Sequence, residues 1–288
     1  MRNNLPFLYA SNNNPNNPTC LIDGVQATTS ACHTSSHNIL SNGSKYEFSW
    51  CTWTSCTASS DAGGALKCTG IGTKVYLESC TFLSCSSERE GGAIHTSSIH
   101  TLDAKHSFFH KCSTSTKEND EGSGAMWING IKQILSVSDN SFISCTSKAS
   151  GGAFIVKDCT ENIQGEVIRN CRYIDCNATD TSPDGGAIWI WTNDKLLGLK
   201  NCLFSVCNSG QDGGAVKHTL YKYEEKSFPL RYCFFNKNKA PNGNDIFFNS
   251  LPADAPCLHC FSTSDSKRVS HYVGSDRSSL DPNWLPQA

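Results

Sequence analysis

The fold is decided by a phrase that recurs along the chain, and residues 80–97 are its clearest copy: CTFLSCSSEREGGAIHTS. The second half of the phrase, Gly-Gly-Ala followed by an apolar residue, begins at five positions: Gly63, Gly91, Gly151, Gly185 and Gly213. Weaker copies begin at Ser123 and Gly243, and successive copies are 28 to 34 residues apart. A period of this length is typical of a solenoid, in which each repeat is one supersecondary unit.

The first half of the phrase places an aromatic residue between two small residues, most of them cysteines. The aromatic column contains Trp53, Phe82, Phe109, Phe142, Tyr173, Phe204 and Phe235. Three residues after each aromatic come Cys56, Cys85, Cys112, Cys145, Cys176, Cys207 and Asn238, and two residues before come Cys51, Cys80, Ser107, Asn140, Cys171, Cys202 and Cys233. Two further columns upstream are apolar, with Glu166 as their one charged member. Apolar residues alternate with a period of two within each half, which indicates short strands joined by bends.

Stacking these repeats in register would place equivalent residues about 4.8 Å apart and bury the columns as continuous ladders. We therefore predict an all-β fold, a parallel β-helix of about seven coils with irregular caps. The glycine pairs predict tight corners that need positive φ or close backbone approach. A leucine-rich repeat is the nearest alternative, but its Leu and Asn framework is absent.

The Gly-Gly-Ala-Ile phrase, alternating with a Phe-x-x-Asn phrase that survives as Phe235 to Asn238, resembles the repeat of the polymorphic outer membrane protein family. The resemblance covers roughly Tyr46 to Asn249. It implies a right-handed β-helix related to bacterial passenger domains and protist surface repeat proteins, a role in adhesion, and a cell-surface or secreted location. Cys replaces the family's Asn in six of the seven copies.

The repeats divide the chain into three parts. Residues 1–45 are predicted to form a flexible Asn-rich lead and an N-terminal cap, and residues 46–250 the β-helix. Residues 251–288 contain four prolines, so we expect a C-terminal cap and an extended tail there.

Cysteine is abundant, with 17 in 288 residues, and eleven of them belong to the two repeat columns. We favour a buried thiol ladder, in which Cys acts as a small apolar residue; disulfides between coils are the alternative. Cys257-Leu-His-Cys260, with His259 and His271, is half of a typical zinc site. Because no second Cys-x-x-Cys exists, we interpret this segment as a cap, and predict no metal and no cofactor.

Function is expected from the strand after Gly-Gly-Ala, where residues that point outward include three tryptophans. An exposed aromatic face would suit sugar rings or side chains of a partner protein. The predicted ligand-binding residues are Trp127, Trp189, Trp191, His95, Lys157 and Lys217. The alternative is that an inserted segment, such as residues 160–165, folds over the tryptophans.

A catalytic function would need clustered acidic residues on an outward column, as polysaccharide lyases and hydrolases of this fold have. The outward columns after Gly-Gly-Ala hold no Asp or Glu. Asp184 and Asp212 directly precede glycine pairs, where turn chemistry favours Asp; a calcium or catalytic role is the alternative. We therefore predict no catalytic residues and a binding or adhesion module for a glycan or a surface protein. A carbohydrate-active enzyme is the alternative.

Charge and hydropathy exclude other classes. The chain has 24 Lys and Arg against 26 Asp and Glu, a net charge of −2, which argues against nucleic-acid binding. A basic column, Lys105, Arg169, Lys200 and Arg231, predicts either a solvated corner or an acidic-glycan surface. No apolar stretch approaches the roughly 20 residues of a transmembrane helix. The first ten residues lack the apolar run of a secretory leader, so an intracellular or truncated chain is the alternative to the surface location.

Overall fold

The computed structural model describes residues 19–22, 25–26, 33–34, 38–40, 43–115, 122–160, 163, 165–180, 184–192, 197–220, 230–248, 257–258, 260–262 and 271–273. Within these residues the regular structure consists of β-strands, with no helix. The strands form four sheets, A to D, which stack as a β-solenoid of about six turns. The predicted all-β, parallel architecture is confirmed.

Each turn passes through sheets A, B and C, with the short sheet D between B and C. Sheet A contains β1 (Thr19–Ile22), β2 (Val25–Gln26), β5 (Lys45–Ser49), β9 (Lys74–Glu78), β13 (Thr101–Lys105), β17 (Ile134–Ser138), β21 (Gly165–Arg169), β25 (Leu197–Lys200), β28 (Leu230–Arg231) and β31 (Cys257–Leu258). Sheet B contains β3 (His33–Thr34), β6 (Thr52–Thr54), β10 (Thr81–Leu83), β14 (Phe108–His110), β18 (Ser141–Ile143), β22 (Arg172–Ile174), β26 (Leu203–Ser205), β29 (Phe234–Asn236) and β32 (Phe261–Ser262).

The other two sheets complete the turn. Sheet C contains β4 (Asn38–Leu40), β8 (Leu66–Thr69), β12 (Ile94–Ser97), β16 (Met126–Asn129), β20 (Phe154–Lys157), β24 (Ile188–Thr192), β27 (Val216–Leu220), β30 (Ile246–Phe248) and β33 (His271–Val273). Sheet D contains β7 (Thr57–Ala58), β11 (Ser86–Ser87), β15 (Ser113–Thr114), β19 (Thr146–Ser147) and β23 (Asn177–Ala178).

The aromatic column forms the centre of the core. Phe82 pairs in parallel register with Trp53 on one side and Phe109 on the other. The rings of the column stack with centroids 4.6 to 5.1 Å apart, and all seven side chains are fully buried. Seven stacked rings enclose six turns, so the predicted count of about seven coils is slightly too high.

The glycine pair forms the corner that leads into sheet C. Gly63 has a φ of +71°, in the left-handed region that disfavours residues with a side chain. A Cβ on Gly64 would lie 2.2 Å from the carbonyl oxygen of Gly92 on the next turn. The first glycine therefore allows the bend and the second allows adjacent turns to touch, as the sequence predicted.

The two cysteine columns lie at the corners on either side of sheet B. From Cys80 onward, each thiol of these columns donates to a carbonyl of the preceding turn; for example, Cys85 Sγ lies 3.6 Å from the carbonyl oxygen of Trp53. Asn238 Nδ2 makes the equivalent contact with the carbonyl oxygen of Phe204 at 3.3 Å. Cysteine therefore replaces asparagine as the donor that links successive turns.

No disulfide joins the cysteines that the structure describes. Most are buried, and burial raises the pKa of the Cys68 and Cys159 thiols to about 12. The structure is therefore a thiol ladder, the reading that the sequence favoured over disulfides between coils.

The two ends of the solenoid differ. At the first turn, β1 runs antiparallel to β5, with Cys20 opposite Phe48, and covers the edge of sheet A. At the last turn, β31, β32 and β33 continue the parallel stacking on β28, β29 and β30. Cys257 thus takes the register position of Leu230, and Cys260 packs against the core next to Cys233. Strands therefore occur on both sides of the predicted boundaries at residues 46 and 250.

Glu166 is the one charged residue in two otherwise apolar columns, and the structure explains this exception. The pairing of β21 with β25 shifts register between Gly165 and Ile168. The extra residue turns Glu166 outward, where its carboxylate lies 2.9 Å from Lys200 Nζ and 3.2 Å from an Arg231 guanidinium nitrogen. A bulge avoids the several kcal/mol that an unpaired buried carboxylate would cost.

An imidazole is nevertheless enclosed in the core of sheet C. His218 is fully buried, and its ring lies 5.9 Å from that of Phe248 on the next turn. Burial lowers the pKa of the His218 imidazole to about 4, so the ring is neutral at physiological pH.

Candidate functional site

The structure brings the six predicted ligand-binding residues together on the outer side of sheet C. One column runs from His95 through Trp127, Ile155 and Trp189 to Lys217, with each residue in parallel register with the next. Lys157 and Trp191 form a second column alongside, also paired in register. Their common face follows from the two-residue period of a strand.

The first column is an outer hydrophobic cluster of Trp127, Ile155 and Trp189, which expose only 6%, 1% and 8% of their surface. His95 stacks on Trp127 with ring centroids 4.6 Å apart and is also buried. The prediction of an exposed aromatic face is therefore wrong for His95, Trp127 and Trp189. Alternation along a strand reveals which way a side chain points and not whether it reaches solvent. Residues 160–165, the predicted covering segment, lie partly outside the described residues.

Trp191 and Lys157 form a rim beside this cluster, and both are partly exposed. Lys157 Nζ lies 4.1 Å from the centroid of the Trp191 ring, within the range of a cation–π interaction. Trp189 stacks on Trp191 at 5.3 Å and donates from Nε1 to Thr219 Oγ1 at 3.1 Å. Of the predicted tryptophans, Trp191 is therefore the one that a ligand can reach.

Lys217 lies between the two aspartates that precede glycine pairs. Its Nζ is 2.5 Å from Asp184 Oδ2 and 3.0 Å from Asp212 Oδ2. The side chains of Lys217, Asp184 and Asp212 expose 13%, 16% and 8% of their surface. Lys217 Nζ also lies 5.2 Å from the ring centroid of Phe247. The ammonium is thus held in an enclosed ion triad.

The turn before each glycine pair positions these carboxylates. Asp184 and Asp212 form a parallel bridge with each other, and Asp212 forms one with Asn242 on the following turn. Asn242 Nδ2 donates to Asp212 Oδ1 at 2.9 Å, and the Asp184 amide donates to Ser150 Oγ at 3.1 Å. Sequence reasoning recognised the turn and missed the ion triad. Aligning the acidic turn column with the outward lysine column would have indicated it.

The first described turns contain a related but simpler pair. Lys67 occupies the same outward column as Lys217, and its Nζ lies 2.6 Å from Asp61 Oδ1. These side chains expose 27% and 33% of their surface, about twice the exposure of the Lys217 triad. Lys67 and Asp61 therefore form a comparison pair, with a similar N–O distance and a greater exposure to solvent than Lys217 and Asp184.

The predicted basic column is largely neutralised by adjacent acids. Lys105 Nζ lies 2.7 Å from Asp103 Oδ2, and the hydrogen bond that Lys105 donates to Asp103 raises the pKa of Lys105. Glu166 pairs with both Lys200 and Arg231. The column favours the solvated-corner interpretation over an acidic-glycan surface.

Three further searches of the chain gave negative results. Within the described ranges, no group of three or more His, Cys, Asp or Glu side chains is placed to hold a metal ion. In the same part of the chain, no helix has the length and apolar character to cross a bilayer. Comparison of the chain with protein families, with curated proteins and with solved structures finds no match.

Proposed function

We propose that this protein is a non-catalytic binding module that recognises acidic glycans through the rim formed by Trp191 and Lys157. The observation that carries the proposal is the Lys157 ammonium 4.1 Å over the partly exposed Trp191 ring. An indole packs against the C–H face of a sugar, and an ammonium binds its carboxylate or sulfate. The resemblance to polymorphic outer membrane proteins supports adhesion at a cell surface as the setting.

The exposed apolar area favours a glycan over a protein partner. A stable protein interface buries about 800 Å² on each partner around an apolar centre. The apolar side chains of the outer cluster are already buried against one another, so among the residues described on the outer side of sheet C, Trp191 supplies the accessible aromatic surface. A saccharide needs only one such contact and a few polar groups.

The geometry also favours binding over catalysis. Hydrolysis by paired carboxylates needs two acidic side chains about 5 to 10 Å apart that can reach the scissile bond. Asp184 and Asp212 are instead both engaged by Lys217 and are mostly buried. A carbohydrate-active enzyme therefore remains the second hypothesis, and the same binding experiment tests it.

An array of uronate-containing, sulfated, sialylated and neutral glycans tests the proposal. We expect binding of acidic glycans, weakened about tenfold by Trp191→Ala or Lys157→Ala, since each variant removes one ligand contact, sugar stacking or a charge-assisted hydrogen bond, of roughly 1 to 2 kcal/mol. Lys45 and Tyr76 provide a matched control, because Lys45 Nζ lies 5.2 Å from the Tyr76 ring centroid on sheet A.

Two results would overturn the proposal. One is wild-type protein that binds no acidic glycan, and the other is a Tyr76→Ala variant that loses binding as much as Trp191→Ala. The same incubations are analysed for new reducing ends and unsaturated products. Turnover that disappears in Asp184→Asn would establish the enzyme instead.

A further inference from the structure

We infer that Lys217 and Asp184 condense to an isopeptide bond, an amide between Lys217 Nζ and Asp184 Cγ. The two side chains belong to successive turns, and Nζ lies 2.5 Å from Asp184 Oδ2. The bond would tie one turn covalently to the next on the outer side of sheet C, independently of any ligand.

Asp212 supplies the third group that the condensation needs. Its Oδ2 lies 3.0 Å from Lys217 Nζ, and Asn242 Nδ2 fixes its other oxygen at 2.9 Å. Asp212 is therefore placed to accept a proton from the amine and return it to the oxygen that leaves Asp184. We assign the electrophile to Asp184 because it is closer to Nζ.

The step balances without any further reactant. The Lys217 ammonium gives a proton to Asp212, and the nitrogen lone pair attacks Cγ of Asp184. The Cγ–N bond forms, one Cγ–O bond breaks, and that oxygen departs as water with two of the three ammonium protons. One positive and one negative charge disappear together, so the net charge of the chain is unchanged. Asp212 regains its original ionisation and accepts the new amide N–H.

The surroundings favour the amide over the ion pair. The three side chains are largely enclosed, with Lys217 Nζ 5.2 Å from the Phe247 ring centroid and the buried Trp189 in the adjacent register position. Charges removed from water lose hydration that their mutual attraction only partly replaces, whereas a neutral amide has far less hydration to lose. Exclusion of water also disfavours the reverse hydrolysis.

Proximity alone is not expected to produce an isopeptide bond, and Lys67 with Asp61 provides the comparison. Their 2.6 Å contact matches that of Lys217 and Asp184, but the pair is about twice as exposed. Among the described residues Lys67 contacts a single carboxylate. We therefore expect no bond there, and the pair serves as an internal control.

Intact-mass spectrometry of the full chain under reducing, denaturing conditions tests the inference. We expect a mass lower than the sequence mass by one water molecule, and a protease digest containing one branched peptide that joins Lys217 to Asp184. Lys217→Arg and Asp212→Ala should each restore the full sequence mass, the second because the proton carrier is lost. Lys67→Arg should leave the loss of water unchanged.

The wild-type measurement decides the inference even if a variant does not fold. The full sequence mass in the purified wild-type chain overturns it, as does a branched peptide that maps to Asp212 or Lys67. Loss of water that persists in a folded Asp212→Ala variant overturns the assigned role of Asp212. Glycan binding is measured separately, so failure of one proposal is distinguishable from failure of the other.

Discussion

Phe82 stacks on Phe109 of the next turn with ring centroids 4.7 Å apart and ring planes within 2° of parallel. Phe109 also stacks on Phe142 of the following turn, so removing its ring creates a cavity with two exposed walls. We predict that Phe109→Ala costs about 3 to 5 kcal/mol in the free energy of unfolding. Urea denaturation measures the loss.

The neighbouring Phe108 is the matched control, because it points outward from β14 and is partly exposed. Phe108→Ala should cost well under half as much, since less apolar surface leaves water there on folding. Equal losses at the two positions would contradict the inward stacking of the column.

The second glycine of each pair is predicted to tolerate no side chain. A Cβ on Gly92 would lie 2.0 Å from the Gly124 carbonyl oxygen and 2.4 Å from that of Ser113. Gly92→Ala must therefore separate two turns, and we expect a larger loss than the roughly 1 to 2 kcal/mol of a left-handed residue in open space. Gly72→Ala measures that smaller cost, because its Cβ would meet nothing closer than 3.4 Å at a φ of +94°. Comparable urea midpoints for the two variants would contradict this account.

Burial of the thiols predicts that the enclosed cysteines react only when the chain opens. A thiol with a pKa of about 12, such as that of Cys68 in sheet C, is thiolate in only about one molecule in 10⁴ at pH 8, and the thiolate is the reactive form. Labelling of Cys68 with a disulfide reagent should follow the unfolding transition in urea. Ile71→Cys provides an exposed comparison, since Ile71 is 84% accessible, and it should label at once. Rapid labelling of Cys68 in native buffer would contradict the burial of its thiol.

His218 predicts a loss of stability in mild acid. Burial depresses its pKa from 6.5 to about 4 in the folded chain. Below pH 6.5 His218 becomes protonated in the unfolded state but stays neutral in the folded state. The free energy of unfolding therefore falls as the pH drops towards 4 and then levels off. Between pH 7 and pH 5 the loss should be about 2 kcal/mol.

The variant His218→Phe isolates this effect, because a phenylalanine would face Phe248 without titrating. Its unfolding free energy should vary less between pH 7 and pH 5 than that of the wild-type chain, by the same 2 kcal/mol. An identical pH dependence in both proteins would show that other groups are responsible.

The repeat made the core of this fold predictable from sequence. The same environment recurs at every turn, so the columns of Phe82 and Cys85 could be read as one position observed several times. Alternation also assigned Trp127 and Trp189 to the outer side of sheet C correctly. It gave no information on their exposure, which depends on packing above the strand rather than on its period.

Departures from the repeat could not be predicted from the sequence. Glu166 broke its column because a single extra residue shifts the register of β21, and spacing alone does not reveal a bulge. The pairing of Lys217 with Asp184 joins positions 33 residues apart that become neighbours only when turns stack. His218 lies in an inward column of sheet C, and this position in the repeat was the sequence feature that indicated its burial.

The antiparallel strand β1 restricts how a second copy of the chain can stack on the first turn. Head-to-tail addition of a second copy would require the last strand of one molecule to pair in parallel with β5 of the next. That edge already carries β1, which runs in the opposite direction with Leu21 facing Glu47, and the two-residue strand β2 lies beyond β1. Direct parallel pairing of a second copy with β5 is therefore blocked at the first turn, although every later turn is built from contacts that could otherwise propagate without limit.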